Sequence, residues 1–161
     1  MGIHERAGRT GQWFTPKYIF AALGCKFDLD VAASKSLYAR VPAACWFNEK
    51  SLTRHWFGFV WMNPPYGGRN GLKDWVTKFV EHGNGIALVP DRTSAPWFQY
   101  LATHCESILF ISPKIKFVKP NGKLGKSPAN GSALVAIGVK GRDALQRANK
   151  LGILVYRVKT S

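Results

Sequence analysis

An almost unbroken apolar run, residues 57–62, leads directly into Asn63-Pro64-Pro65-Tyr66. A continuous apolar run is typical of a strand buried on both faces, as in the parallel sheets of α/β proteins. The two prolines end such a strand, because each fixes φ at about −65° and removes a backbone donor. The pattern predicts a central strand whose carboxyl end carries a rigid loop, and in open α/β sheets ligands bind at that edge.

Apolar segments alternate with helical patterns along the rest of the chain, which predicts an α/β fold with a mostly parallel mixed sheet. With 161 residues, we expect one domain, 1–161, with a flexible start over residues 1–12. Thr15 is expected to be the N-cap of the first helix. We expect helices at 16–23, 72–82, 97–104 and 142–150, and strands at 27–31, 44–47, 57–62, 86–90, 107–111, 115–118, 132–139 and 153–156.

The charge of the chain is strongly positive: 23 Lys and Arg against 9 Asp and Glu give +14. A folded domain with this imbalance favours a polyanionic partner such as nucleic acid, although general stickiness or a solubility device would also produce it. A basic loop is expected at residues 119–131, where Lys119, Lys123 and Lys126 stand among glycines and prolines. An ordinary exposed hairpin connection is the alternative.

Other classes of protein and site are disfavoured by the sequence. The three cysteines are odd in number and widely spaced, which indicates neither a disulfide framework nor a zinc pair and suits a reducing cytoplasm. The four histidines lack metal-ligand spacing, so we expect no metal. No apolar stretch is long enough for a membrane span, and we expect a cytoplasmic protein without a membrane partner.

The loop after the apolar run suits one kind of chemistry. Its prolines leave two hydrogen-bond acceptors, the Asn63 side-chain oxygen and the Pro64 carbonyl, beside the ring of Tyr66. Two acceptors bind the hydrogens of an amine and stabilise the positive charge that develops when the amine attacks, while the ring stacks on a base taken out of the duplex. The loop therefore predicts binding of the N6 amine of adenine; a merely rigid turn is the alternative.

Four segments in this order resemble the phage and prophage DNA N6-adenine methyltransferases, the Dam-like family. The resemblance spans residues from about 13 to about 138. The Asn-Pro-Pro-Tyr element alone also occurs in protein and RNA methyltransferases, so the order of all four makes the resemblance specific. The segments are Trp13-Phe14-Thr15-Pro16, Phe27-Asp28-Leu29-Asp30-Val31-Ala32-Ala33, Asn63-Pro64-Pro65-Tyr66-Gly67, and Leu88-Val89-Pro90-Asp91-Arg92-Thr93 with Trp97-Phe98.

The resemblance implies a Rossmann-like domain that transfers a methyl group from S-adenosylmethionine to adenine N6 in double-stranded DNA. Its implied catalytic residues are Asn63, Pro64, Pro65 and Tyr66. Its implied cofactor-binding residues are Thr15, Pro16, Asp30, Ala32, Ala33 and Asn48; Asn48 stands in a stretch that departs from the family's acidic pattern. Arg92 is either a phosphate clamp or a solvated loop arginine. An RNA or protein N-methyltransferase, or a non-catalytic basic nucleic-acid-binding relative, remains the alternative, and the oligomeric state is open.

The basic loop generates a first prediction. Replacing Lys119, Lys123 and Lys126 together with Gln should weaken DNA binding and flatten its salt dependence. Each lost phosphate contact lowers the slope of log K against log[salt] by about 0.9. Fluorescence anisotropy with a labelled duplex at several salt concentrations measures the slope, and the triple Lys→Arg variant is the charge-retaining control. A slope that stays unchanged in the Gln variant would show that the loop faces away from DNA.

Overall fold

Helices cover both faces of a seven-stranded sheet in a computed structural model that describes residues 13–34, 41–67 and 71–158. The flexibility expected for residues 1–12 concerns residues outside these ranges. The strands are β1 (Phe27–Asp30), β2 (Ala43–Trp46), β3 (Val60–Met62), β4 (Gly85–Pro90), β5 (Ser107–Ile111), β6 (Ser132–Ile137) and β7 (Gly152–Tyr156). The helices are α1 (Lys17–Leu23), α2 (Lys73–His82), α3 (Pro96–His104) and α4 (Val139–Arg147).

The strand order is β2-β1-β3-β4-β6-β5-β7. The β1–β2, β1–β3 and β3–β4 pairs are parallel, whereas the β4–β6, β5–β6 and β5–β7 pairs are antiparallel. The α/β class and the mixed sheet are therefore confirmed. The expectation of a mostly parallel sheet holds only for the half from β2 to β4, because in the described part of the chain antiparallel pairs are as numerous as parallel ones.

The two faces of the sheet carry separate apolar clusters. On one face, Val60 and Met62 of β3 pack in a cluster with residues of α2 and α3. On the other face, Trp61 packs with residues of α1 and α4. Alternate residues of one strand therefore enter opposite clusters, which explains why this run is apolar without interruption. None of the helices within the described ranges is long and apolar enough to cross a membrane.

Two strand expectations were wrong, one in its extent and one altogether. The run at 57–62 becomes a strand only at Val60, because Gly58 has a φ of 67°, which is not an extended conformation. Residues 115–118 form no strand: Val118 makes only isolated bridges to Phe14 and Leu124. Both edges of β5 are already paired, with β6 and β7, so the segment after β5 cannot pair with that strand.

The last helix also begins earlier than expected. α4 starts at Val139 and ends at Arg147, where residues 142–150 were expected. Gly138 precedes it with a φ of 88°, a left-handed conformation that lets the chain turn sharply from β6 into the helix. A short 3₁₀ turn, Asn149–Leu151, then carries the chain into β7. The remaining helices and strands lie close to the expected positions.

Candidate active site

The carboxyl ends of β1, β3 and β4 point to one edge of the sheet, and β4 extends past the end of β3 to Pro90. Asp30 at the end of β1 is level with Trp61, and Trp61 is level with Ile86 of β4. β5 ends at the same edge, because β5 and β4 are both antiparallel to β6. Segments that are distant in sequence therefore leave the sheet at a common edge, which we call the carboxyl edge.

Asn63 follows β3 at the carboxyl edge and is held at both ends of its amide. Its Nδ2 donates a hydrogen bond to Thr15 Oγ1 at 3.2 Å. Its Oδ1 accepts one from the Tyr66 hydroxyl at 3.3 Å. A side chain with both amide atoms bonded has a fixed orientation, so this loop presents a preorganised amide.

Thr15 does not cap α1, contrary to the sequence expectation. Pro16 occupies the N-cap position, and no side chain bonds the first turn. The Thr15 hydroxyl accepts its hydrogen bond from Asn63 instead. Sequence reasoning missed this contact because it joins residues 48 positions apart and no local pattern signals it. Thr15 therefore lies beside the loop after β3.

The Tyr66 ring packs against the apolar cluster on the α2 and α3 face, and the residue is only partly buried. Burial raises the pKa of its hydroxyl above the usual range, so the group stays protonated and donates. In the same loop Pro64 is buried and Pro65 is exposed. The structure thus brings the four residues expected to be catalytic together in one loop.

Asp30 is a buried carboxylate at the end of β1, with 5% of its surface exposed. Its Oδ1 accepts a hydrogen bond from the Ala32 N–H at 3.1 Å. Desolvation raises the pKa of Asp30 to about 7, and that hydrogen bond only partly opposes the effect. Within residues 13–34, 41–67 and 71–158, no basic side chain forms an ion pair with it.

Four of the expected cofactor residues lie where β1 and β2 end: Asp30, Ala32, Ala33 and Asn48. The Ala33 N–H donates to the Phe47 carbonyl at 2.9 Å, and the Phe47 N–H donates to the Asp30 carbonyl at 2.8 Å. These bonds hold the turn after β1 against the end of β2. Asn48 follows directly and is exposed. The Arg54 guanidinium lies 3.8 Å from the centre of the Phe47 ring, so this end of the carboxyl edge also has a cation over an aromatic face.

The basic loop is tied to the segment that holds Thr15. Phe14 and Val118 exchange two backbone hydrogen bonds of 2.9 Å, and the Lys119 N–H donates to the Lys123 carbonyl at 2.8 Å. The Lys119 ammonium lies 5.7 Å from the centre of the Trp13 ring. The structure therefore places the root of the loop near the candidate site. The side chains of Lys123 and Lys126 are exposed.

Arg92 stands apart from this arrangement. It is exposed two residues beyond β4, and its carbonyl accepts a hydrogen bond from the Ala95 N–H at 2.9 Å. The structure brings it to the carboxyl edge but not into contact with Asn63. No group of His, Cys, Asp or Glu side chains suited to holding a metal ion occurs among the described residues.

Asp30 generates a prediction on pH dependence. Its folded pKa is raised to about 7 from an ordinary value of 3.8, so the native state holds a proton that the unfolded state releases. The free energy of unfolding should fall by at most about 4 kcal/mol as the pH rises from about 4 to about 7, and should then level off. Asp30→Asn should lack this component.

Urea unfolding of the wild type and of Asp30→Asn between pH 4.5 and 8 measures the difference in the free energy of unfolding. Titration of other groups is common to both proteins and cancels in that difference. A difference that stays constant over this pH range would contradict the raised pKa.

Comparisons with known proteins identify the family of the chain. The model of the family described as DNA N-6-adenine-methyltransferase (Dam) matches residues 4–150. A curated relative, the DNA N-6-adenine-methyltransferase of Escherichia phage T1, is 31% identical over 106 residues, which are 62% of this chain and 44% of the relative. The chain thus spans less than half the length of that relative. No solved structure matches. Because the family model covers nearly all of its length, the chain belongs to the DNA N-6-adenine-methyltransferase (Dam) family.

Proposed function

We propose that this chain transfers a methyl group from S-adenosylmethionine to the N6 amine of adenine in double-stranded DNA. The observation that carries the proposal is the Asn63 amide, fixed by Thr15 and Tyr66 at the carboxyl end of a buried strand. Membership of the Dam family supports the reaction class, and the charge of +14 supports a polyanionic substrate. Because the substrate would be phage or bacterial DNA, the reaction belongs in the cytoplasm of the host cell.

The chemistry explains why a fixed amide matters. The lone pair of the adenine amine is delocalised into the ring, so the amine is a poor nucleophile. Acceptors at Asn63 Oδ1 and at the Pro64 carbonyl would bind its two hydrogens and favour a more tetrahedral nitrogen. They would also stabilise the positive charge as the nitrogen–carbon bond forms. Pro65 keeps the backbone rigid, so little reorganisation is needed during the reaction.

The end of β1 fits the proposed cofactor. S-adenosylmethionine, when bound, supplies an electrophilic methyl group on a positively charged sulfur and leaves as S-adenosylhomocysteine. Asp30 is a buried carboxylate without a basic partner in the described part of the chain, and a cationic ligand would offset its desolvation. We infer that Asp30 faces the positive end of the cofactor, and that the Ala32-Ala33 turn, Thr15 and Pro16 lie beside it.

The rest of the cofactor would extend toward β2. Asn48 is exposed directly after Phe47, whose backbone is bonded to both Asp30 and Ala33. We infer that Asn48 contacts the adenine ring of the cofactor. A cofactor that lies across the ends of parallel strands is what a Rossmann-like methyltransferase domain requires, and the parallel half of this sheet supports that finer assignment.

Tyr66 would have two functions in this loop. Its ring would stack on the adenine, which has to leave the duplex before its amine becomes accessible. Its hydroxyl donates to Asn63 Oδ1, and an amide oxygen has two lone pairs, so the hydroxyl and the amine can share this acceptor. The hydroxyl therefore helps to hold the oxygen in place without excluding the substrate.

DNA would be held by positive groups on the loops around the carboxyl edge. Lys119, Lys123 and Lys126 of the basic loop supply three charges, and Arg92 supplies another. We infer that all four contact phosphates. An RNA or protein acceptor would require a different surface; comparing methyl transfer to duplex DNA, RNA and peptides distinguishes these substrates. A relative without catalysis would bind DNA but show no heat of binding with S-adenosylmethionine.

The fixed amide generates the central mutational prediction. Asn63→Ala removes one acceptor but leaves both prolines and Tyr66, so the fold should remain. The lost bond is strongest when the amine becomes cationic, so the methyl-transfer rate should fall by about 100-fold or more. Tyr66→Ala should instead weaken capture of the adenine by about 1–3 kcal/mol, the value of one stacked base.

Single-turnover transfer of tritiated methyl groups to an adenine-containing duplex measures these effects. Tyr66→Phe is the matched control for stacking: it keeps the ring, so it should capture the adenine as tightly as the wild type, and its rate should fall by no more than about 2- to 12-fold, the net value of the hydrogen bond lost to Asn63 Oδ1. Asn63→Ala transferring methyl groups at the wild-type rate would show that the loop is only a structural turn.

The hydrogen bond from Asn63 to Thr15 generates a further prediction. Thr15→Val keeps the shape of the side chain but removes the acceptor, so the amide loses one of the two bonds that orient it. At saturating S-adenosylmethionine, kcat should fall by about 2- to 12-fold, which corresponds to the net 0.5–1.5 kcal/mol of a hydrogen bond. Thr15→Ser should restore the rate. Equal kcat values for the valine variant and the wild type would exclude this orienting contact.

A further inference from the structure

A groove opens at the carboxyl edge, and apart from Pro16 its lining residues have no function assigned so far. Its volume is about 570 Å³, within the range of roughly 300–1,000 Å³ that small-molecule sites occupy. One wall is formed by Pro16, which follows Thr15, and by the first turn of α1. The groove is lined by Pro16, Tyr18, Pro113, Lys114, Lys116, Leu124 and Ser127.

The lining combines positive charge with exposed apolar surface. It contains two lysines and no acidic residue. The Lys114 ammonium donates to the Ala129 carbonyl at 3.0 Å, which holds it in place without neutralising it. Lys116 is exposed and forms no ion pair with a described residue. Tyr18 is 48% exposed and Leu124 is 65% exposed.

We propose that this groove binds the nucleotide that flanks the target adenine on the same DNA strand, with Lys116 on a phosphate and the Tyr18 ring against the base. The proposal rests on the proposed function and adds to it a subsite for the flanking nucleotide. A half-exposed ring beside a lysine without an acidic partner has the composition of a single-strand binding surface, where bases stack and phosphates meet cations.

The charge distribution along the carboxyl edge determines the direction of the strand. The end near β1 and β2 has mixed charge, since the exposed Glu49 stands beside the exposed Lys50 and near Arg54. The end near β5 contains the lysines of the groove. An extruded adenine at Asn63 is covalently joined to its neighbours, so the strand has to leave the site over an adjoining surface. The groove adjoins the candidate site through Pro16 and Thr15, and the charged side chains that line it are all positive.

Equilibrium binding of a labelled duplex that the wild type methylates tests the proposal without depending on turnover. Lys116→Gln should lower the slope of log K against log[salt] by about 0.9. Its matched control is Lys26→Gln, which removes the same charge from an exposed residue just before β1, at the opposite edge of the sheet. Tyr18→Ala should weaken binding by about fivefold or more, the loss expected for one stacked base. Its control is Tyr100→Ala, on the face covered by α2 and α3.

A second duplex identifies the contact. When the base next to the target adenine is replaced by an abasic sugar, Tyr18→Ala should no longer weaken binding, because the stacked partner is missing. Two duplexes are compared, with the abasic sugar on the 5′ or on the 3′ side of the target adenine. The effect of Tyr18→Ala on binding should disappear for only one of them. Sedimentation of each variant at the concentrations used reveals any change in oligomeric state.

The outcomes separate this inference from the proposed function. If the wild type binds DNA with a steep salt dependence but Tyr18→Ala and Lys116→Gln match their controls, the groove lies off the DNA path and the inference fails alone. The inference also fails if Tyr18→Ala alters self-association instead of DNA affinity, or if its effect persists on both abasic duplexes. If the wild type binds no DNA, the proposed function fails as well.

Discussion

The parallel hydrogen-bond ladder that joins β1, β3 and β4 determines where the residues of the candidate site lie. These strands are short, and Val60, Trp61 and Met62 of β3 are all buried, so both faces have to be covered by helices. Parallel pairing also makes the three strands end at one edge. Asp30 and Asn63 are 33 positions apart in sequence and become neighbouring loop starts only because Asp30 pairs in register with Trp61.

A second set of bonds joins the beginning of the described chain to this edge. Phe14 pairs with Val118 at the root of the basic loop, and the next residue, Thr15, accepts the hydrogen bond of Asn63. One short segment therefore contacts both the loop proposed to bind phosphates and the loop proposed to bind the adenine amine. This arrangement offers a physical route by which DNA held at the basic loop would be aligned with the amide, because Val118 is hydrogen-bonded to Phe14, the residue directly before Thr15.

The sequence predicted the parts of this account that depend on local patterns. The apolar run before Asn63 indicated a buried strand, and the double proline indicated its end, since both follow from the residues themselves. The positions of α2, α3 and β5 followed from periodicity in the same way. The antiparallel half of the sheet could not be predicted, because the choice between parallel and antiparallel pairing for β6 depends on which neighbour it meets after the long basic loop. Residues 115–118 looked like a strand because they are partly apolar. That apolar content reflects the burial of Ile115, and a strand also requires a neighbouring strand to pair with.

The sequence indicated which residues form the candidate site, but not which contacts they make. Asn63, Pro64, Pro65 and Tyr66 occur together in the sequence, so their proximity required no folding. The Thr15 hydroxyl looked like a helix cap because capping is local, whereas its actual partner is set by tertiary packing. The groove beside Tyr18 joins three segments that no sequence pattern connects. The Thr15 contact and the groove both depend on long-range packing, which a single sequence does not display.

The central claim is that the chain methylates adenine N6 in DNA, and it is tested most directly by the chemical identity of the product. Duplex DNA without prior methylation is incubated with the purified protein and S-adenosylmethionine, digested to nucleosides and analysed by mass spectrometry, with RNA and peptide acceptors in parallel. The account predicts that N6-methyldeoxyadenosine accumulates in the DNA and that the other acceptors stay unmodified. DNA without N6-methyldeoxyadenosine beside methylated RNA or peptide would contradict it.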